Sequence, residues 1–139
     1  MSPWLDLLAR NNAKSYVENL KWDITYQAKL AEFGHRVVAG ITDDKLLPYV
    51  DSVAAPQGWY DGIDSTVAGV LFTAGGKEAL KDDIVQFSTD FSKVHPKTEL
   101  FVDKIGIHVD PILDFFAGET KLSEQTPVIV SWIEERFKA

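Results

Sequence analysis

Apolar residues recur three or four positions apart through much of this chain, a spacing that predicts helices more often than strands. The longest such run extends from about Ser15 to about Gly40 and is apolar on two sides. Val17, Leu20, Ile24, Ala28, Ala31, His35 and Val38 form one stripe, and Trp22, Tyr26, Leu30, Phe33 and Val37 form a second, roughly opposite. Glu18, Lys21, Thr25, Lys29, Glu32 and Arg36 fill the one solvated wedge. A helix wetted so narrowly needs neighbours on both flanks, so the pattern predicts the axis of a helical domain.

Shorter elements surround it. Ser2-Pro3 is an N-cap and first-turn pair for a lead-in helix over Ser2 to Ala9, and Gly40 is a C-terminal cap for the long helix. Thr42, Asp43 and Asp44 cap a helix over Lys45 to Val53, which Pro48 kinks or delays. Ala55 to Asp64 reads as a loop, punctuated by Pro56, Gly58 and Gly62, with Trp59 and Tyr60 either folded back on the core or bordering a pocket. Thr66 to Ala74 is an apolar run compatible with helix or strand, ended by Gly75 and Gly76. Lys77 to Val94 has the clearest amphipathic pattern, with Leu80, Ile84, Phe87, Phe91 and Val94 on one face. Leu100 to Phe116 keeps helical spacing but splits near Val109, where Asp110-Pro111 starts a new helix that Gly118 closes. Thr126-Pro127 opens the last helix.

These elements predict an all-α fold: a compact bundle of about six helices around the long one, with residues 1–139 as a single domain. A second reading places strands at Thr66 to Thr73 and Glu99 to Val109, after the long helix and Asp44 to Val53. That order is similar to the cone-shaped α+β family that includes ketosteroid isomerases and polyketide cyclases, and the resemblance implies a curved sheet. Glu99 to Val109 separates the two readings. Phe101, Ile105, Ile107 and Val109 alternate on one side, but Asp103 lands among them and favours a helix. The final helix, Pro127 to Lys138, also falls where the cone family would continue its sheet.

Composition narrows the function classes. Hydrophobic residues at 45% and charged residues at 25% are those of a globular domain. A net charge of -7 with scattered basic residues argues against a nucleic-acid partner. The absence of cysteine removes disulfides, thiolate metal sites and a cysteine nucleophile. No stretch approaches the ~20 apolar residues of a membrane span, and no secretory leader pattern opens the chain, so a soluble, cytoplasmic protein is expected.

Between the two stripes of the long helix lie Asn19, Asp23 and Gln27, four residues apart on one ridge. A carboxylate held beside the interior recruits a partner or a proton, so Asp23 is a candidate general base, with His35 as its acid. Asn19, Trp22, Asp23, Tyr26, Gln27, Trp59 and Tyr60 form the expected ligand-binding set. His95 lies in a turn. His108 and Asp110, taken with Asp103 or Asp114, match no metal-ligand spacing, and Asp61 and Asp64 lack the rest of a calcium loop, so no metal and no cofactor is expected. Gly75-Gly76-Lys77 lacks the first glycine and the hydroxyl residue of a phosphate loop, and no serine sits in Gly-x-Ser-x-Gly, which leaves a serine hydrolase without support.

The function expected from these features is a non-enzymatic helical binding protein holding a small apolar or aromatic ligand, or a partner segment, between helices. The alternative attached to the cone fold is a cofactor-independent lyase or isomerase working through a buried Asp and a His. A third, resting on charge, is an acidic, immunity- or antitoxin-like inhibitor of a basic protein.

Overall fold

The apolar runs that end at Gly75 and Asp103 are strands, and they organise the molecule. In the computed structural model, which describes residues 2–138, the chain runs α1 (Lys14–Glu18), α2 (Gln27–Val38), three short 3-10 turns (Asp44–Tyr49, Ser52–Ala54, Ile63–Ser65), β1 (Val70–Gly75), α3 (Lys81–Phe91), β2 (Thr98–Asp103), α4 (Asp110–Ala117) and α5 (Gln125–Phe137). β1 and β2 pair in parallel, Val70 opposite Thr98 and Gly75 opposite Asp103. Parallel neighbours need a crossover, and α3 supplies it.

Strand alternation puts Phe72 and Ala74 on one face beside Leu100 and Val102, and Thr73, Glu99 and Phe101 on the other. The first face receives α3: the ring of Phe72 lies 5.8 Å from those of both Phe87 and Phe91. Ala74, Ala79, Leu80 and Ile84 complete a buried core with Leu5, Ala9, Tyr16 and Leu30. On the second face α5 reaches Glu99, which accepts from Trp132 Nε1 at 2.9 Å and pairs with Arg136 at 2.7 Å. Because the strands are parallel, their carboxyl ends lie side by side and deliver two loops, 76–80 and 104–109, to one edge of the sheet.

The fold is thus mixed α and β, which corrects the all-α bundle. The described strands are two and run parallel, so the curved sheet implied by the cone family is not seen among the described residues either, although β1 overlaps Thr66 to Thr73 from Val70 on and β2 overlaps Glu99 to Val109 as far as Asp103. Glu99 to Val109 is strand followed by loop, because Asp103 ends β2 instead of continuing an apolar face: its carboxylate accepts from the N–H groups of Ile105 and Gly106 at 3.1 Å and turns the chain.

The predicted axis from Ser15 to Gly40 is also corrected. It breaks between Asn19 and Tyr26, where the Asn19 and Asp23 side chains bond to distant backbone and β-branched Ile24 and Thr25 follow. Of α2 only Leu30 and Gly34 are buried, and Val17, Leu20, Trp22, Ile24, Phe33 and Val37 are exposed. Gly34 is required by close approach, since a Cβ there would overlap the backbone carbonyl of Leu7. Residues 2–9 form no helix, yet Leu5, Leu7 and Ala9 are buried. Lys45 to Val53 is 3-10 turn around Pro48, and the amphipathic helix begins at Lys81, four residues later than its pattern suggested. Pro111 and Gly118 do start and close α4, and α5 begins one residue before Thr126. Among the described residues no helix is long and apolar enough to cross a membrane.

Buried carboxylates tie the N-terminal segment to α3. Asp83 accepts from Tyr16 Oη at 2.6 Å and Asn11 Nδ2 at 3.2 Å. Burial pushes the Asp83 carboxyl above its ordinary range despite those two bonds, and it pushes the Tyr16 phenol up as well. Arg10 spans Asp6 and Asp51, both buried, at 3.3 and 2.6 Å. Desolvation raises Asp51 too, against the opposing pull of Arg10.

Candidate acid–base site

The two loops at the strand ends meet through glycine. Gly75 and Gly76 leave β1, and a Cβ on Gly75 would overlap the Gly106 carbonyl, while one on Gly76 would lie 2.8 Å from the Asp103 carbonyl oxygen. Lys77 N–H donates to the Gly106 carbonyl at 2.9 Å. Close backbone approach of this kind admits no side chain, and it sets Glu78 from one loop against His108 from the other.

Glu78 is fully buried. Its Oε2 accepts from Gly75 N–H at 2.8 Å, and its Oε1 lies 2.7 Å from Nδ1 of His108. Gly75 spends its N–H on one carboxylate oxygen, so the other is left free for the imidazole. A carboxylate only accepts, so in this contact Nδ1 carries the hydrogen and the lone pair of the neutral ring lies on Nε2. The ring is half-buried, about 19% exposed. Immediately after it, Val109 holds φ at +55°, a left-handed conformation that a β-branched residue adopts only under constraint from its surroundings. Asp110 then turns back to accept from Ile107 N–H at 2.9 Å. Burial, with the neighbouring Asp114, Asp103 and Asp23 carboxylates, raises the Asp110 carboxyl above its usual range.

A buried carboxylate that holds the Nδ1 hydrogen of a histidine, at the carboxyl ends of parallel strands, leaves Nε2 as a hydrogen-bond acceptor that can take a proton. The model of a known family, described as steryl acetyl hydrolase, matches residues 1–128. The chain belongs to the steryl acetyl hydrolase family. No curated protein and no solved structure shows significant similarity to it.

The residues proposed from sequence fall in several places on this member of the steryl acetyl hydrolase family. Asn19 is buried in the turn after α1, and its Nδ2 donates to the carbonyls of Glu78 at 2.9 Å and Gly76 at 3.3 Å. Asp23, four residues on, bonds to both loops. Gln27 donates to the carbonyls of Ala9 and Asn11 at 3.3 and 3.4 Å, away from the pair. Trp22 and Tyr26 are exposed, the Trp22 ring 5.0 and 5.4 Å from the ammonium groups of Lys21 and Lys77. His35 is exposed on α2 and shares no hydrogen bond with Asp23. Tyr60 packs edge-on against Phe87 and Phe91, Trp59 against Tyr49, and both line a groove of about 380 Å³ with Phe87, Phe91 and Val94. His95 is buried, bonded to the Val67 carbonyl at 2.7 Å and stacked on Phe91. Among the described residues no group of three or more His, Asp or Glu is arranged to hold a metal ion. Glu78 was not singled out by the sequence, and His108 only as a rejected metal ligand. The available signal was two apolar runs, each followed by glycine and then by an ionisable side chain.

Proposed function

We propose that this chain supplies the general base of an ester hydrolase, His108, and its orienting acid, Glu78, and that the substrates are acetate esters of sterols. The 2.7 Å contact between Glu78 Oε1 and His108 Nδ1 carries the reading, and family membership supplies the ester class. This replaces a purely binding role, and it replaces Asp23 and His35 as the acid–base pair.

In the proposed reaction a hydroxyl presented to His108 Nε2 loses its proton to that nitrogen as its oxygen bonds to the acetyl carbonyl carbon. Collapse of the tetrahedral adduct breaks the bond to the sterol oxygen, and Nε2 returns the proton to it. Glu78 keeps Nδ1 protonated and stabilises the transient imidazolium. In α/β-hydrolases the nucleophilic serine precedes the acid, which precedes the histidine, and Glu78 before His108 agrees with that order; this point rests on fold analogy. The missing Gly-x-Ser-x-Gly pattern concerns the nucleophile alone and leaves the base and acid intact.

The test is hydrolysis of a sterol acetate and of p-nitrophenyl acetate by the wild type and by His108→Gln. Turnover that falls by ~10²–10⁴ in the variant supports the base assignment. Unchanged turnover, or none in the wild type, overturns it. A fluorophosphonate probe then separates a serine hydroxyl, which gains a covalent adduct, from water, which does not.

A further inference from the structure

Asp23 sits on neither catalytic loop, yet its carboxylate holds both. Oδ2 accepts from Ala79 N–H at 2.7 Å, directly after the acid Glu78. Oδ1 accepts from the backbone N–H of His108 itself at 3.0 Å. The remaining donors are local: Ile24 N–H to Oδ1 at 2.9 Å and Thr25 Oγ1 to Oδ2 at 2.6 Å. A carboxylate offers about four lone-pair sites, and all four are filled. One turn upstream Asn19 donates to the carbonyls of Gly76 and Glu78, so the segment 19–23 grips the acid loop by its carbonyls and by an N–H while reaching the base loop with the other oxygen.

From this we infer that Asp23 is a positioning residue that sets the separation of Glu78 and His108 by bonding to the backbone of each loop. The inference rests on the acid–base reading of that pair, but its geometry is testable without turnover. All four hydrogen bonds of the carboxylate go elsewhere than to the Glu78 side chain or the imidazole, so its hold on the two loops is through the backbone. An amide is not equivalent. Oriented with its oxygen toward Ile24 and His108, an asparagine turns its NH₂ toward Thr25, whose hydroxyl can rotate to accept, and toward Ala79 N–H, which cannot. Asp23→Asn therefore removes the side-chain bond to the Ala79 N–H and keeps the one to the His108 N–H, and Asp23→Ala removes both.

The experiment follows the low-field proton resonance of the His108 Nδ1–H bond to Glu78 in ¹⁵N-labelled protein, with hydrolysis of p-nitrophenyl acetate in parallel and far-UV circular dichroism to confirm folding. Wild type shows the resonance, and Glu78→Gln identifies it by abolishing it. Asp23→Asn is expected to broaden or shift it, Asp23→Ala to remove it, and kcat to fall by up to ~10² with KM little changed, the scale of a ~1 Å misplacement. Should Asp23→Ala fail to fold, the asparagine variant carries the test. A resonance and kcat unchanged in a folded Asp23 variant overturn the positioning role. Loss of the resonance in a protein whose wild type hydrolyses nothing upholds the role of Asp23 and defeats the hydrolase reading alone.

Discussion

Replacing Glu78 by glutamine tests the acid–base pair through a conflict that the structure makes unavoidable. The two carboxylate oxygens of Glu78 face two donors, Gly75 N–H at 2.8 Å and His108 Nδ1–H at 2.7 Å. A glutamine has one oxygen to offer. The Gly75 donor is backbone and cannot change role, whereas imidazole can move its hydrogen from Nδ1 to Nε2. The amide therefore turns its oxygen to Gly75 and its NH₂ to Nδ1, and the hydrogen passes to Nε2, where the base is needed. Recovering the productive tautomer means leaving Gly75 N–H buried without an acceptor, about 1–3 kcal/mol, and losing a charge-assisted bond adds about 1.5–3 kcal/mol. The sum of about 3–6 kcal/mol corresponds to ~10²–10⁴ in kcat. The assays are initial rates on p-nitrophenyl acetate and ¹⁵N chemical shifts of the His108 ring, which report the tautomer. A Glu78→Gln protein that keeps its hydrogen on Nδ1, or that flips the tautomer and retains full activity, would refute the reasoning.

Three further outcomes follow from other contacts. Gly76→Ala places a Cβ against the Lys104 and Asp103 carbonyls, so it should separate the two loops, cost about 1–3 kcal/mol in urea unfolding and depress turnover more than Gly118→Ala, whose Cβ meets nothing. Arg10→Met leaves Asp6 and Asp51 buried without their cation; a loss of about 3 kcal/mol near neutral pH, or about 10 °C in Tm for a chain of this size, is expected by calorimetry and should shrink in acid as Asp51 takes up a proton. Asp83 has the opposite dependence from a salt-bridged acid: its raised folded value makes the native state bind the proton more tightly, so its contribution declines as pH rises from the ordinary carboxylate range through that raised value. Asp83→Asn, with the Asn11 amide reversed to accept, should remove that decline and raise Tm relative to wild type at pH 8 more than at pH 4; equal Tm differences at both values would refute it.

Part of this arrangement was legible in the sequence. Pro111 and Gly118 bound α4 as their backbone preferences require, and the face of Leu80, Ile84, Phe87 and Phe91 does bury α3. Asn19 and Asp23 stand out in the sequence as polar groups set between apolar positions, although Val17, Leu20, Trp22 and Ile24 are exposed. Helical phase was the wrong reason for their alignment: they share a turn, and their partners lie more than fifty residues away. Local periodicity holds no information about such partners.

The strands were hidden for a related reason. A short run of consecutive apolar residues shows no alternation of apolar and polar positions, and Leu-Phe-Val at 100–102 or Val-Leu-Phe at 70–72 is as compatible with a helix segment as with a strand. Asp103 favours a helix over a strand only on the assumption that the strand continues to Val109. It stops at Asp103 because that carboxylate accepts the next loop's N–H groups and also Glu124 N–H at 3.0 Å. The same turn aims His108 at Glu78. The residue that interrupts the strand pattern is thus the one that turns the chain into the loop carrying His108, so in this chain the acid before Gly106-Ile107-His108 marks the end of a strand and not one face of a helix.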